Sequence, residues 1–223
     1  WANCMWLKGV VMKAHYNGLI PRNPFIQFHI SPNVKEREYL TEDELKAVMT
    51  HEFADSKLAY IRDIFIFASF TALSFVDIQE LTNDNIVEVN GEKWILSKRH
   101  KTKVAFQVKL LDIPLQIVER YRPMQKDNRI FPGLNYWSIC KPLKRMIREC
   151  GITKSISFHC SRHGFATLAL SKGMPIESVS RVLGHTNIVT TQLYAKITTQ
   201  KLDNDLTMFG DKLSKTFNGI TMS

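Results

Sequence analysis

No stretch of this sequence stays apolar long enough to cross a bilayer. Arg62 and Asp63 interrupt the longest candidate, residues 61–70, well short of the roughly 18–20 residues a spanning helix needs. Cysteine is sparse. Cys4, Cys140, Cys150 and Cys160 form no C-x-x-C pair, and a chain of 223 residues needs no covalent staples, so reduced thiols in a cytoplasmic protein are expected. With only 10 glycines and 8 prolines against 44% hydrophobic residues, collagenous and disordered classes are excluded. The start, Trp1-Ala2-Asn3-Cys4, has no initiator Met, basic region or small-residue cleavage site; the expectation is a piece of a longer chain rather than a signal peptide. Acidic residues are the minority, 21 against 30 Lys+Arg, leaving +9. That balance suits a polyanion partner, although charge alone does not decide it.

Residues 5–18 read as the tail of an amphipathic helix with Leu7, Val10, Val11 and His15 on one face. Pro21, Pro24 and Pro32 then resist helix and predict an extended linker, with a boundary near residue 35. Thr41-Glu42-Asp43-Glu44 is a capping box opening a helix to about Thr50. Residues 58–73 predict a buried helix, and 77–81 a short amphipathic turn. The period then changes to two: strands at 86–89 and 94–96 flank an Asn90-Gly91 turn, and a second turn at 99–103 leads to a third strand over 104–110. Helices are predicted over 114–122, 135–149, 157–171, 175–183 and 187–197, several stopped by glycine.

The chemistry-bearing residues gather late in the chain. His159 and Arg162 stand three apart at a helix start, where free N–H groups and the dipole favour an anion. Gly184-His185 follows 23 residues after the arginine, and Tyr194 nine residues after that histidine. Each could be bland: a capping histidine, or a half-buried aromatic between Leu193 and Ala195. His159 and His163 have the i, i+4 spacing of a metal pair, but the intervening Cys-Ser-Arg lacks a zinc-protease glutamate, and a cation beside Arg162 is unfavourable.

Jointly, His159-x-x-Arg162, Gly184-His185 and Tyr194 resemble the tyrosine recombinase (phage-integrase) family. Residues 183–197, LGHTNIVTTQLYAKI, are similar to that family's nucleophile segment, especially to the integrases of conjugative transposons from gut anaerobes. The resemblance covers about residues 36–200. It implies an α+β, mainly α-helical catalytic domain with a small three-stranded antiparallel sheet over 36–223, ending in a segment that docks on a neighbouring protomer. Residues 1–35 become the C-terminal remnant of a helical core-binding domain plus linker. The implied function is site-specific strand cleavage and rejoining through a 3′-phosphotyrosine, integrating or excising a mobile element. A Xer-type resolvase or invertase, or a catalytically impaired DNA-binding regulator, are the alternatives. Expected partners are double-stranded DNA, three further copies in a tetramer and DNA-bending accessory proteins. No membrane, metal or cofactor is expected.

Phosphodiester transfer without metal or nucleotide needs an in-line nucleophile, cations on the non-bridging oxygens and a proton for the leaving 5′ oxygen. Tyr194 suits the first role. Arg162 offers a bidentate fork, His185 a hydrogen bond to a non-bridging oxygen, and His159 a base or oxygen ligand. The resemblance implies a hairpin lysine as general acid. Counting back from the third strand selects Lys101, whereas counting forward from the preceding helix favours Lys98. One departure stands out: the family's first arginine, in a Thr-Gly-Leu-Arg segment, is replaced in Thr71-Ala72-Leu73-Ser74. Losing it could cost of order 10²–10³ in rate. Arg99, two residues from Lys101 and on the same face if the backbone is extended, is the expected substitute, with Ser74 making room for it.

Overall fold

Helix boundaries in this protein follow the capping and breaking signals of its sequence. The computed structural model describes residues 2–28, 38–101, 103–125, 127–195 and 199–216. The chain divides into two units, residues 1–37 and 38–223. In the first, helix α1 (Ala2–Tyr16) gives way to Gly18 at φ +71°. Residues 17–28 follow turns rather than the extended path the prolines suggested: the Asn23 side chain accepts from Phe25 N at 2.9 Å, and Asn23 O from Ile26 N, an Asx turn. Leu7 and Val10, on the expected apolar face of α1, are exposed. The remainder of the expected linker, residues 29–35, lies outside the described residues.

In the second unit, α2 (Glu42–Thr50) opens with the expected capping box. Thr41 Oγ1 accepts from Glu44 N, and the Glu44 carboxylate accepts from Thr41 N at 2.7 Å. Helix α3 (Ser56–Thr71) buries Leu58, Ile61, Ile64, Phe65, Phe67 and Ala68 around its circumference, so it can only be central. It ends at Ala72, left-handed at φ +56°. Inside α3 the buried Asp63 accepts from Arg62 Nε (2.9 Å), Arg120 Nη1 (2.7 Å) and Tyr121 OH (2.8 Å).

After the single-turn α4 (Phe75–Gln79) come β1 (Ile86–Val89), β2 (Glu92–Lys98) and β3 (Ala105–Lys109), an antiparallel sheet in that order. Asn90 and Gly91 take φ +52° and +78°, as a type I′ turn requires. Register pairs Ile86 with Ile95 and Ile95 with Val108, turning Ile95, Phe106 and Val108 into the core. The rest is helical: α5 (Asp112–Tyr121), α6 (Tyr136–Glu149), α7 (His159–Ser171), α8 (Ile176–Leu183), α9 (Val189–Gln192) and α10 (Thr199–Thr216). α2, α5, α6 and α7 pack around α3, and α8 packs on α7 and β3, so the C-terminal end of α3, the sheet and the end of α8 meet. The expected helix over 187–197 is realised only as α9, because the run Ile188-Val189-Thr190-Thr191 is β-branched and propagates helix poorly; residues 196–198 lie outside the described residues. Among the described residues no helix is long and apolar enough to cross a membrane.

Candidate active site

Two helix C-termini create the setting. α8 stops in a Schellman motif: Gly184, at φ +64°, donates to Arg181 O, and His185 N donates to Ser180 O. Among the described residues no backbone N–H bonds the Val182 and Leu183 carbonyls, which lie at the negative end of the helix dipole and are free to accept from side chains. The left-handed Ala72 likewise presents its carbonyl at the end of α3. Arg162, buried in the first turn of α7, donates from Nη1 to Ala72 O at 2.9 Å and from Nη2 to Leu183 O. Burial, and then the positive charge of Arg99, bring the Arg162 pKa down to about 10, so it stays charged at neutral pH.

Arg99 sits where β2 ends, its N–H bonded to Val104 O at 2.8 Å. Its side chain sinks beneath α8: Nη2 donates to Val182 O, Nη1 to Asp77 Oδ2 at 2.7 Å, and Cζ lies 4.0 Å from the centroid of the Phe106 ring. The approach to Gly184 is so close that a Cβ there would lie 2.9 Å from Arg99 Nε. Glycine thus serves both the positive φ and the arginine's path. Arg99 Nε is buried without a hydrogen-bond partner among the described residues.

Ser74 caps α4, its Oγ donating to Asp77 Oδ2 at 2.8 Å, the oxygen that also receives Arg99. Burial alone would raise the Asp77 pKa. Hydrogen bonds from the His100 amide, Arg99 and Ser74 overcome this and hold it below the ordinary carboxylate value. His100, exposed, also pairs with Glu80 at 2.7 Å, so the β2–β3 turn is tied to α4 and its C-cap. The expected placement of Arg99 and Lys101 on one extended face is not what forms. The chain turns at His100 and Lys101, and Lys103, at φ +56°, has its N–H on Arg99 O; Arg99 is buried, while Lys101 and Lys98 are exposed.

His185 is half-buried, and its Nδ1 lies 2.9 Å from the hydroxyl of the fully buried Thr191. Burial, then the charges of Arg162, Arg99 and His159, lower its pKa from the ordinary 6.5 to about 4, leaving a neutral imidazole. Tyr194 is half-buried against the cluster of Ala72, Ala166, Leu170, Val179 and Leu183. Its ring centroid is 5.0 Å from that of His163, which is 4.7 Å from that of the exposed His159. Among the described residues no three His, Cys, Asp or Glu side chains are grouped as a metal would need.

Two guanidinium groups are therefore buried together with one carboxylate, and two helix ends supply only partial negative charge. Sequence reasoning did not single out Thr191, Phe106 or Glu80. All three act through contacts made by folding, and no spacing in the sequence signals them.

Among curated proteins, the chain is 32% identical over 177 residues to tyrosine recombinase XerA of Pyrococcus horikoshii, covering 73% of this chain and 58% of that protein. It is 26% identical over 204 residues to tyrosine recombinase XerD of Listeria innocua, covering 84% and 67%. The chain thus spans under two thirds of the archaeal relative. Among solved structures, the Tn1549 transposon integrase in complex with a circular intermediate DNA shares the fold at a TM-score of 0.76 and 18% identity, covering 91% of this chain and 76% of that one. Residues 38–201 match the phage integrase family, and the chain belongs to that family.

Proposed function

We propose that this chain is the catalytic part of a cytoplasmic site-specific DNA recombinase that integrates or excises a mobile element. It would cut and rejoin strands through a phosphotyrosine at Tyr194, with neither metal nor nucleotide. The observation that carries this reading is the surplus of buried positive charge beside Tyr194. A buried guanidinium without a full counter-charge is costly, and a phosphate oxygen is the anion that balances it. Similarity to recombinases, and to an integrase solved with DNA, supports duplex DNA as the partner.

In the proposed reaction the Tyr194 oxygen attacks phosphorus. The new P–O(Tyr) bond forms as the bond to the 5′ oxygen breaks, and Lys101 delivers the proton that makes a 5′-hydroxyl. His159 receives the tyrosine proton. Arg162, Arg99 and His185 hold the non-bridging oxygens as charge develops. The same steps reversed, with the partner strand's 5′-hydroxyl as nucleophile, reseal the strand at no net cost in bond energy. Arg99 takes the place of the arginine that Ser74 replaces; the shared hydrogen bonds to Asp77 and the unfilled Nε support this.

Residues 1–35 are proposed as the remnant of a core-binding domain plus linker. α10 carries Leu202, Leu206, Phe209 and Leu213 at helical spacing, all exposed, and is proposed to dock on a neighbouring copy within a DNA-bound tetramer, which accessory proteins that bend DNA would assist.

A duplex nicked near the cleavage position tests the reading. The parent, extended to full length, forms a denaturation-resistant protein–DNA adduct that Tyr194→Phe abolishes and Arg99→Ala diminishes. No adduct on the cognate site would indicate a DNA-binding regulator instead, and an Arg99→Ala protein as active as the parent would refute the substitution.

A further inference from the structure

Thr191 is a fully buried polar side chain, and its hydroxyl meets His185 Nδ1 at 2.9 Å. Its backbone carbonyl, meanwhile, accepts from Tyr194 N at 3.0 Å. One residue thus touches both the segment that presents the proposed nucleophile and the ring proposed to bind phosphate. No other hydrogen bond engages that hydroxyl among the described residues. If the imidazole proton were on Nδ1, the hydroxyl would accept it, and its own hydrogen would be buried without an acceptor. With the hydroxyl donating, both groups are satisfied and the ring's remaining proton lies on Nε2, the nitrogen facing away from Thr191.

We infer that Thr191 is a positioning residue: its hydroxyl donates to His185 Nδ1, fixing the ring so that Nε2–H is a donor for a non-bridging phosphate oxygen. A neutral ring is needed for the Nδ1 lone pair, and burial among cations keeps it neutral. Because Thr191 also receives the Tyr194 amide, the donor is aligned only when the nucleophile's segment is seated. The inference rests on the recombinase reading for its consequence, but not for its geometry.

The test has two readouts. In protein labelled with ¹⁵N-histidine, long-range ¹H–¹⁵N correlation, assigned with a His185→Gln variant, reports the protonation of each ring nitrogen and the hydrogen bonding at Nδ1. The parent and Thr191→Ser show a proton on Nε2 and a hydrogen-bonded Nδ1, and in Thr191→Val the Nδ1 resonance moves to that of an unbonded nitrogen. On the nicked duplex Thr191→Val forms adduct about tenfold or more slowly, and Thr191→Ser stays close to the parent. A parent ring protonated on Nδ1, an Nδ1 signal unmoved in Thr191→Val, or a Thr191→Val protein that cleaves at the parent's rate overturns the inference. If neither the parent nor any variant forms adduct, the recombinase reading fails with the inferred catalytic role, while the spectra still decide the hydrogen bond.

Discussion

Asp63 and Asp77 are both buried carboxylates bonded to arginine, one within α3 and the other just beyond its end, yet they do opposite things. Asp63 is saturated: Arg62, Arg120 and Tyr121 supply its donors, and the Arg120 side chain is 54% exposed, so water shares its charge. Asp77 is overdrawn. It receives Arg99, whose side chain is 6% exposed, and the neighbouring buried Arg162 has only backbone carbonyls. Balanced burial ties α5 to α3. Unbalanced burial leaves a surplus of positive charge, the feature on which the proposed function rests.

That contrast is broken most directly by Arg162→Ala. We expect adduct formation to fall by about 10³-fold or more, with a melting temperature close to the parent's, because an uncompensated buried charge leaves with the side chain. A variant that unfolds while retaining activity per folded molecule would show the arginine to be structural. Arg99→Ala should cost of order 10²–10³ in adduct rate. Adding Ser74→Arg, which returns a guanidinium to the same carboxylate, should restore part of it, and no recovery would mean that position 74 does not reach the phosphate. Asp63→Ala should do the reverse, costing about 3 kcal/mol by leaving the largely buried Arg62 guanidinium and the Tyr121 hydroxyl without their carboxylate. Its thermal midpoint should drop on the order of 10 °C at unchanged adduct yield per folded molecule. Gly184→Ala combines left-handed strain of about 1–2 kcal/mol with collision against Arg99. A roughly tenfold slower adduct and a modestly lower midpoint would separate it from a purely structural glycine.

Acid sharpens the contrast least, but distinguishably. The folded His185 pKa, about 4, lies below its ordinary 6.5, so between those values the unfolded chain takes up a proton that the fold refuses. Stability therefore falls as pH drops from about 6.5 to about 4. Asp77, depressed below its ordinary 3.8, loses its contribution only further into acid. Stabilities of the parent and His185→Gln from denaturant titrations should change with pH at different slopes between about pH 4 and 6.5 and run parallel outside that window. Parallel curves throughout would contradict the lowered histidine pKa.

Much of the fold was legible because its signals are local. Thr41 and Glu44 satisfy each other's backbone within one turn, Asn90-Gly91 accepts positive φ, and the glycine at 184 ends a helix whose apolar side is plain in the sequence. The proposed site was legible as spacing: His159, Arg162, His185 and Tyr194 announce one another along the chain. What the sequence did not disclose depends on packing. A turn was expected after β2, but Arg99 and Lys101 were placed on one face as if the backbone there were extended; the His100 amide is drawn instead to Asp77, 23 positions earlier, and the two side chains part. The Thr191 hydroxyl looks like any other in a Thr-Thr pair until α9 folds it under His185. The helix over 187–197 was overextended because the apolar period was followed past a β-branched run that propagates helix poorly.

Because the buried Arg99 guanidinium is delivered from the end of β2, its position depends on the length of a surface hairpin. A residue inserted between 92 and 98 would slip the β2–β3 pairing by one and turn Arg99 from beneath α8 to the opposite side of the sheet, taking its charge from Asp77. One inserted between 100 and 103 would leave Arg99 in place and move only Lys101. The two ends of one short hairpin therefore answer to different constraints: the count along β2 sets where Arg99 lies, and the length of the tip sets where Lys101, the proposed proton donor, lies.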